Sequence, residues 1–490
     1  MKSHSSPRIT TAIPGLEKIL YGGFLPGRSY LVSGGPGTGK TTLGLHFLSA
    51  KPEGEQALLV SLGEADRNIR NDAASIGMAL EGVVTIDLSP TAQTGGQSAY
   101  SLLEPWEAEP PDIRSRIEEA FPEGPPRRVF IDALSQFRHL VPDTFQFRKQ
   151  VMALLEYLTH AGSTLLFTSE RGSQADEDLQ YLGDGILQLD RTESGRSLSV
   201  VKFRGSGFAE GRHTVRLSDH GMSIFERLVP GEHGQPFVAE SIPSGVAELD
   251  ALSGGGIGRG TVTIISGPTG VGKTSLGVQF MREAASRGER SVIFSFEESL
   301  ATIRHRCEHV GIPLGKMMRD DSLAVESVEP LRYTPDEFAW RVRREVEERG
   351  ATMVMIDSLS GYRQSVRGED VVTHAHALCR YLANMGVTVL LINEVGSIAG
   401  GEMRVSELGI SYLADAVLIL RYIEFDGEIR KTIGMLKKRT GDFEKTLREF
   451  DITADGLKVG KPLAGLRGIL RGDPEMSASG VFRGPADNGR

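Results

Sequence analysis

Two short loops constrain this chain more than any other feature: Gly34-Gly-Pro-Gly-Thr-Gly-Lys-Thr41 and Gly267-Pro-Thr-Gly-Val-Gly-Lys-Thr274. Both fit G-x-x-x-x-G-K-[ST]. Each follows an apolar, β-rich run, Ser29-Tyr-Leu-Val-Ser33 or Thr261-Val-Thr-Ile-Ile-Ser266, and each precedes a helical pattern. That is the strand, loop and helix setting in which this pattern cradles phosphate. The loops imply two phosphate-binding sites and a chain built from two similar domains.

Other landmarks recur at nearly constant distances from the loop lysines. An apolar run ending in aspartate appears as Val129-Phe-Ile-Asp132 and as Met353-Val-Met-Ile-Asp357. Further on come Val201-Lys-Phe-Arg204 and Leu436-Lys-Lys-Arg439, and upstream Ile13-Pro-Gly is echoed by Ile242-Pro-Ser. The repeat predicts domains over 8–229 and 238–456, a linker over 230–237 and a flexible tail over 457–490. Within each copy β-rich runs alternate with helical ones, which indicates α/β architecture with a mostly parallel sheet flanked by helices. Strands are expected near 57–61, 83–88, 128–132 and 164–168, and again near 291–296, 323–328, 352–357 and 387–392. Turns at Ser194-Gly195 and Asp426-Gly427 predict C-terminal β-hairpins appended to each sheet.

Composition sets limits on function. A hydrophobic content of 39% with 24% charged residues suits a globular protein with real cores. The formal charge of −9 argues against nucleic acid as a partner. Cys307 and Cys379 form no C-x-x-C pair and no disulfide framework. The first residues, Met1-Lys-Ser-His-Ser-Ser-Pro-Arg8, lack a signal-peptide core, and no apolar run has the length of a membrane span. The expectation is a cytoplasmic protein with no membrane attachment.

The chemistry follows from residue types at fixed spacing. Gly34, Gly37, Thr38, Gly39, Thr42 and, in the second copy, Gly267, Thr269, Gly270, Val271, Gly272 and Ser275 line loops whose amide groups face phosphate oxygens, helped by the positive end of the next helix. Lys40 and Lys273 are expected to reach the β- and γ-phosphates of ATP. Thr41 with Asp132, and Thr274 with Asp357, are expected to hold Mg²⁺. Hydrolysis also needs a carboxylate to orient or deprotonate the attacking oxygen. The second copy offers Glu297 and Glu298, with Glu297 also a candidate metal ligand. The first has Gly63-Glu64 at that register, leaving Glu64 alone.

In these features the chain resembles the KaiC family of RecA-like ATPases over nearly its whole length. The resemblance rests on the two loops, Glu297-Glu298, Ile356-Asp357-Ser358-Leu359-Ser360, the two K-x-R elements and Arg448-Glu-Phe. It implies two tandem RecA-like P-loop NTPase domains and a double-ring homohexamer with ATP between neighbouring subunits. Lys202 and Arg204, with Lys437 and Arg439, then match positions that reach a neighbour's phosphates, as an arginine finger does. Ser75, Ser218 and Asp219 match nucleotide contacts of the first domain. The resemblance further implies serine autokinase activity in the second domain, with Ser411 and Tyr412 at the acceptor positions and Ser406 at a nearby third, and clock-type or other signalling regulators as partners. Departures are Gly63 in place of a carboxylate, Tyr412 in place of threonine, and Phe208 and Phe443 where the family tends to carry histidine.

Two other classes compete. A nucleotide-gated interaction scaffold would bind ATP to assemble and recruit partners without kinase activity, a reading favoured by Gly63 and Tyr412. A RecA-like DNA recombinase is disfavoured by the acidic balance and the lack of a DNA-binding module. His374 and His376, two residues apart, face different sides of a helix and read as packed or solvated rather than metal-ligating. Trp106, in a proline-bearing stretch, reads as a loop anchor.

Overall fold

The computed structural model describes residues 7–89, 113–139, 141, 143–170, 177–193, 195–366, 370–395, 413–425, 427–463, 466–467 and 475–476. The chain divides into two compact units, Met1–Arg227 and Leu228–Arg490. The first is built on β1 (Ser29–Gly34), β2 (Ala57–Ser61), β3 (Val83–Asp87), β4 (Arg128–Asp132), β5 (Thr164–Glu170), β6 (Gly185–Thr192), β7 (Gly195–Phe203), β8 (His213–Ser218) and β9 (Gly221–Phe225). These lie in the order β3-β2-β4-β5-β1-β6-β7-β8-β9. Neighbours from β3 through β6 are parallel, and those from β6 to β9 antiparallel.

The second unit begins with a short ladder of β10 (Ser241–Ile242) on β11 (Ile257–Gly258). It then repeats the sheet with β12 (Val262–Gly267), β13 (Arg290–Ser295), β14 (Leu323–Ser327), β15 (Ala351–Asp357), β16 (Thr388–Glu394), β17 (Ala416–Phe425), β18 (Glu428–Lys438), β19 (Arg448–Thr453) and β20 (Gly456–Pro462). The order β14-β13-β15-β16-β12-β17-β18-β19-β20 is the same topology, strand for strand. The fold is therefore two tandem RecA-like sheets with antiparallel C-terminal hairpins, as the repeat predicts.

Both faces of each sheet are covered, because side chains alternate along a strand. In the first unit Tyr30, Leu59 and Phe130 enter one core, while Leu31, Leu58, Val129 and Ile131 enter the other. In the second, Met353 and Met355 pack on one side and Val354 and Ile356 on the other. The helices after the loops, Lys40–Ser49 and Lys273–Ser286, lie close against the sheet because a glycine faces it. A methyl group on Gly44 would stand 2.0 Å from the Phe130 ring, and one on Gly277 would stand 2.4 Å from Met355 Sδ. Local signals set the ends of other helices. Thr334 and Glu337 form a capping box ahead of Pro335–Glu347, with Pro335 in the first turn where its missing N–H costs nothing.

Two stretches differ from the sequence expectation. Pro230–Pro236 reads as a linker in the sequence, yet it folds onto the second unit: Gln235 N–H donates to Asn384 O at 3.1 Å, and Asn384 Nδ2 donates to Pro230 O at 2.8 Å. Turn-rich composition predicts irregular backbone but not where its polar groups find partners, and here the end of the helix Val371–Asn384 takes them. The tail is expected from 457, but β20 runs to Pro462 with Leu457 and Val459 buried against the sheet core. Interleaved glycine and lysine disguise that alternation. Beyond it, Leu466–Arg467 pairs with Glu475–Met476 in a short antiparallel ladder. Among the described residues no helix is long and apolar enough to cross a membrane.

Candidate functional site

The C-terminal ends of the parallel strands carry the chemistry in both units. Each loop turns into its helix through a glycine in the left-handed region, Gly39 at φ 101° and Gly272 at φ 113°, which a side chain would strain. Lys40 Nζ donates to Gly34 O at 2.8 Å and Gly35 O at 3.0 Å, and Lys273 Nζ donates to Pro268 O at 2.8 Å. Both ammonium groups thus sit within their loops. Burial lowers both lysine pKa values, opposed for Lys40 by Glu170 and Asp132 and for Lys273 by Glu394, Asp357 and Glu297.

Beside each lysine stands a hydroxyl and carboxylate pair. Thr41 Oγ1 donates to Asp132 Oδ2 at 2.6 Å, and Thr274 Oγ1 donates to Asp357 Oδ2 at 2.7 Å. These hard oxygens, joined at the mouth of the loop, fit a small divalent cation such as Mg²⁺. The pairs are not identical. Asp132 Oδ1 also accepts from Thr168, whereas the strand register puts Ile392 at that position beside Asp357. Asp357 is pushed up to about 6, by burial first and then by Glu298 and Glu297, against the lowering from Thr274 and Arg306.

The carboxylates after β2 and β13 decide the comparison. Ser61 Oγ donates to Glu64 O, and Ser295 Oγ donates to Glu298 O at 2.8 Å. The shared clamp aligns Glu64 with Glu298 and Gly63 with Glu297. In the second unit Glu297 Oε1 accepts from Ser358 Oγ, and the serine in turn accepts from Gly361 N at 3.1 Å. The residue following Asp132 is Ala133, so the first unit lacks both the carboxylate and its serine. Its remaining candidate, Glu64, is exposed, with its pKa raised by partial desolvation, Asp72 and Asp132. In the second unit Lys273, Thr274, Glu297, Glu298, Asp357 and Glu394 converge on one cleft of about 260 Å³.

Ser218 and Asp219 lie at the tip between β8 and β9, and this hairpin is set against the loop: a methyl group on Gly39 would meet Met222 and Leu217. Ser75 ends the helix Asp66–Ser75, where its hydroxyl donates to Asp72 O at 2.7 Å. In the second unit the hairpin of β19 and β20 occupies the same place, with Ile452 against Gly272. Phe443 packs at the edge of the second unit's core and Phe208 at that of the first.

The K-x-R elements stand at the opposite end of the strands from the loops, at the end of β7 and of β18. Lys202 pairs with Ile186, which pairs with Leu31, and Lys437 pairs with Val417, which pairs with Ile264. Three residues of β1 or β12, about 10 Å, then separate that level from the start of the unit's own loop. Lys202 Nζ donates to Gly183 O at 2.6 Å, and Arg204 approaches Asp184 at 3.9 Å. Arg439 pairs with Asp415 at 3.4 Å. Burial lowers the pKa of both lysines, and each is lowered further by the arginine two residues on.

Sequence reasoning missed Ser358, Arg306 and Glu394, which line the cleft with the predicted residues. Glu170 and Glu394 each end the strand beside a loop, and a shared signal was available in the two apolar runs Thr164–Glu170 and Thr388–Glu394. Ser406, Ser411, Tyr412 and Trp106 lie outside the described residues. His374 approaches Asp336 at 3.8 Å, and no cluster of three metal-ligating residues occurs among the described residues.

The family model of the KaiC ATPase matches this chain twice, over residues 9–229 and 242–464. The chain belongs to the KaiC ATPase family. It is 27% identical over 508 residues to the circadian clock oscillator protein KaiC of Picosynechococcus sp., covering 98% of this chain and 96% of that protein. It is also 27% identical to the circadian clock protein KaiC3 of Synechocystis sp., over 96% of this chain and 95% of the relative. The KaiC2 protein of the same organism is 26% identical across 97% of this chain and 85% of its own length. Both units of this KaiC-family chain thus take part in the match, the altered first site included.

Proposed function

We propose that this chain hydrolyses ATP as an assembly of copies, with phosphoryl transfer concentrated in the second unit. The observation that carries the reading is the convergence on one cleft of Lys273, the Thr274–Asp357 pair and the Ser358-bound carboxylate of Glu297. Loop amide groups and Lys273 hold the β- and γ-phosphates. Thr274 and Asp357, with Glu297 beside them, would hold Mg²⁺, which would supply neutralisation of the phosphate charge. Glu297 orients the attacking oxygen and takes its proton, with Ser358 fixing the carboxylate. The γ-phosphoryl group passes to water, giving ADP and phosphate, or to a serine hydroxyl.

The K-x-R elements support sharing between copies. Lying at the opposite strand ends from their own loops, Lys437 and Arg439, like Lys202 and Arg204, would add positive charge to a neighbour's nucleotide. A closed homohexamer is the assembly we propose. Mixing provides a test: Lys273→Ala chains and Arg439→Ala chains, each inactive at the second site, should regain part of their activity when co-assembled. No recovery would count against shared sites.

Ser411 is the proposed acceptor in the second unit, with Ser406 and Tyr412 as neighbouring alternatives, and the clock names of the relatives point to signalling or clock-type regulators as partners. Incubation with γ-labelled ATP and Mg²⁺, then phosphopeptide mapping, should label Ser411 and fail in Glu297→Gln. A second reading, the nucleotide-gated scaffold, is favoured by Gly63 and Ala133, which leave the first unit with binding machinery and little else. Intact hydrolysis without any label would put that reading ahead.

A further inference from the structure

The two carboxylates that follow β13 differ in what holds them. Glu297 is fixed by Ser358, whereas the Glu298 side chain is held from the next helix, Leu300–His309, by Arg306 Nη1 at 2.7 Å. The contact uses one atom of each partner. Glu298 Oε2 and Arg306 Nε and Nη2 are buried with no hydrogen-bond partner. Buried polar atoms left unmatched are rare enough to require an explanation, and active sites are where they gather.

The carboxylates of the cleft bear on it. Glu297, Glu298, Asp357 and Glu394 line the cleft together with Lys273, Lys431 and Arg306. Arg306 is hydrogen-bonded to one of these carboxylates, Glu298, and Ser358 to another, Glu297. Its counterpart in the first unit, counted from the clamped glutamate, is Asp72, which stands near enough to Glu64 to act on it electrostatically. One position thus carries opposite charges in the two copies.

We propose that Arg306 is a positioning residue of the second site: it ties Glu298 back against the helix, leaving Glu297 as the carboxylate free to engage the attacking oxygen. The guanidinium acts through Glu298 and takes no proton itself. The assignment rests on the function proposed above and adds a division of labour between adjacent glutamates.

Hydrolysis by the full-length assembly tests it, reading the part of the turnover that Lys273→Ala removes. Arg306→Ala should lower the kcat of that part by at least about tenfold while KM stays within about twofold, because binding through the loop is untouched. Arg306→Lys should recover at least about a third of the loss, and a thermal melt should place both variants near the native chain. Acting through one partner, Arg306→Ala should cost little more in a Glu298→Gln background. Hydrolysis that survives Arg306→Ala overturns the assignment alone, as does a loss confined to KM or an additive double variant. A native chain whose hydrolysis does not depend on Lys273 overturns the proposed function, and this assignment with it.

Discussion

The first and second units share a sheet order, a loop geometry and a threonine-to-aspartate bond, yet differ at the few side chains that would move a proton. Where one has Glu297 and Ser358, the other has Gly63 and Ala133. The difference separates two kinds of machinery. Phosphate recognition is built mainly from backbone amides and glycine geometry, so it persists wherever the fold persists. Proton transfer depends on single side chains at strand ends, which can be exchanged without disturbing the core. A methyl group on Gly63 would have only Gln136 nearby, at 3.8 Å, so nothing in the packing required its loss or keeps a replacement out.

The largest effect should come from removing the carboxylate that one copy lacks. Glu297→Gln should reduce total ATP turnover by roughly 100-fold, the scale of a general base, while Glu64→Gln should change it by less than about twofold. Steady-state phosphate release measures both, and equal losses would erase the inequality between the sites.

Next in size is the effect of pH on the second site. With the Asp357 carboxyl raised to about 6, its ionised form is populated above that value, so Mg²⁺-dependent nucleotide affinity should fall about tenfold between pH 7 and pH 5. Titration of a fluorescent ATP analogue in Lys40→Ala chains reads it. The unliganded fold should respond in the opposite sense. A buried acid with a raised pKa holds its proton in the native state between about 4 and 6, so the stability it contributes is lost as pH rises through that window, by up to about 3 kcal/mol. Melting curves of the same chains without nucleotide would read that slope.

A smaller effect tests whether the first site can be repaired. Gly63→Glu with Ala133→Ser should raise first-site turnover a few-fold, measured in a Lys273→Ala background. No gain would mean that the charge of Asp72, or groups still missing, keeps the first site slow.

Much of the architecture is readable from the chain because duplication provides its own control. The loops, Asp132 and Asp357, and both K-x-R elements recur in register, and strands such as Val129–Asp132 announce themselves by apolar runs. What escapes is contact between distant strands. Nothing in the local sequence links Ser358 to Glu297 or Thr168 to Asp132; those bonds exist because β13 lies beside β15, and β4 beside β5. Helix spacing brings Arg306 back over Glu298, but it does not reveal that the guanidinium takes one carboxylate oxygen and leaves the other bare. The misplaced boundary at β20 has the same origin: Leu457 and Val459 are buried by the neighbouring strand and core, which composition alone does not disclose.

The docking of Pro230–Pro236 has a practical consequence for anyone who wishes to study the copies apart. Leu228 is buried in the second unit's core, and the backbone of Pro230 and Gln235 is held by Asn384. A second half that begins at 238 would expose the apolar surface beneath these residues and leave the end of the helix Val371–Asn384 without its partners. The cut belongs between Arg227 and Leu228, so that each half keeps the residues that close its own core.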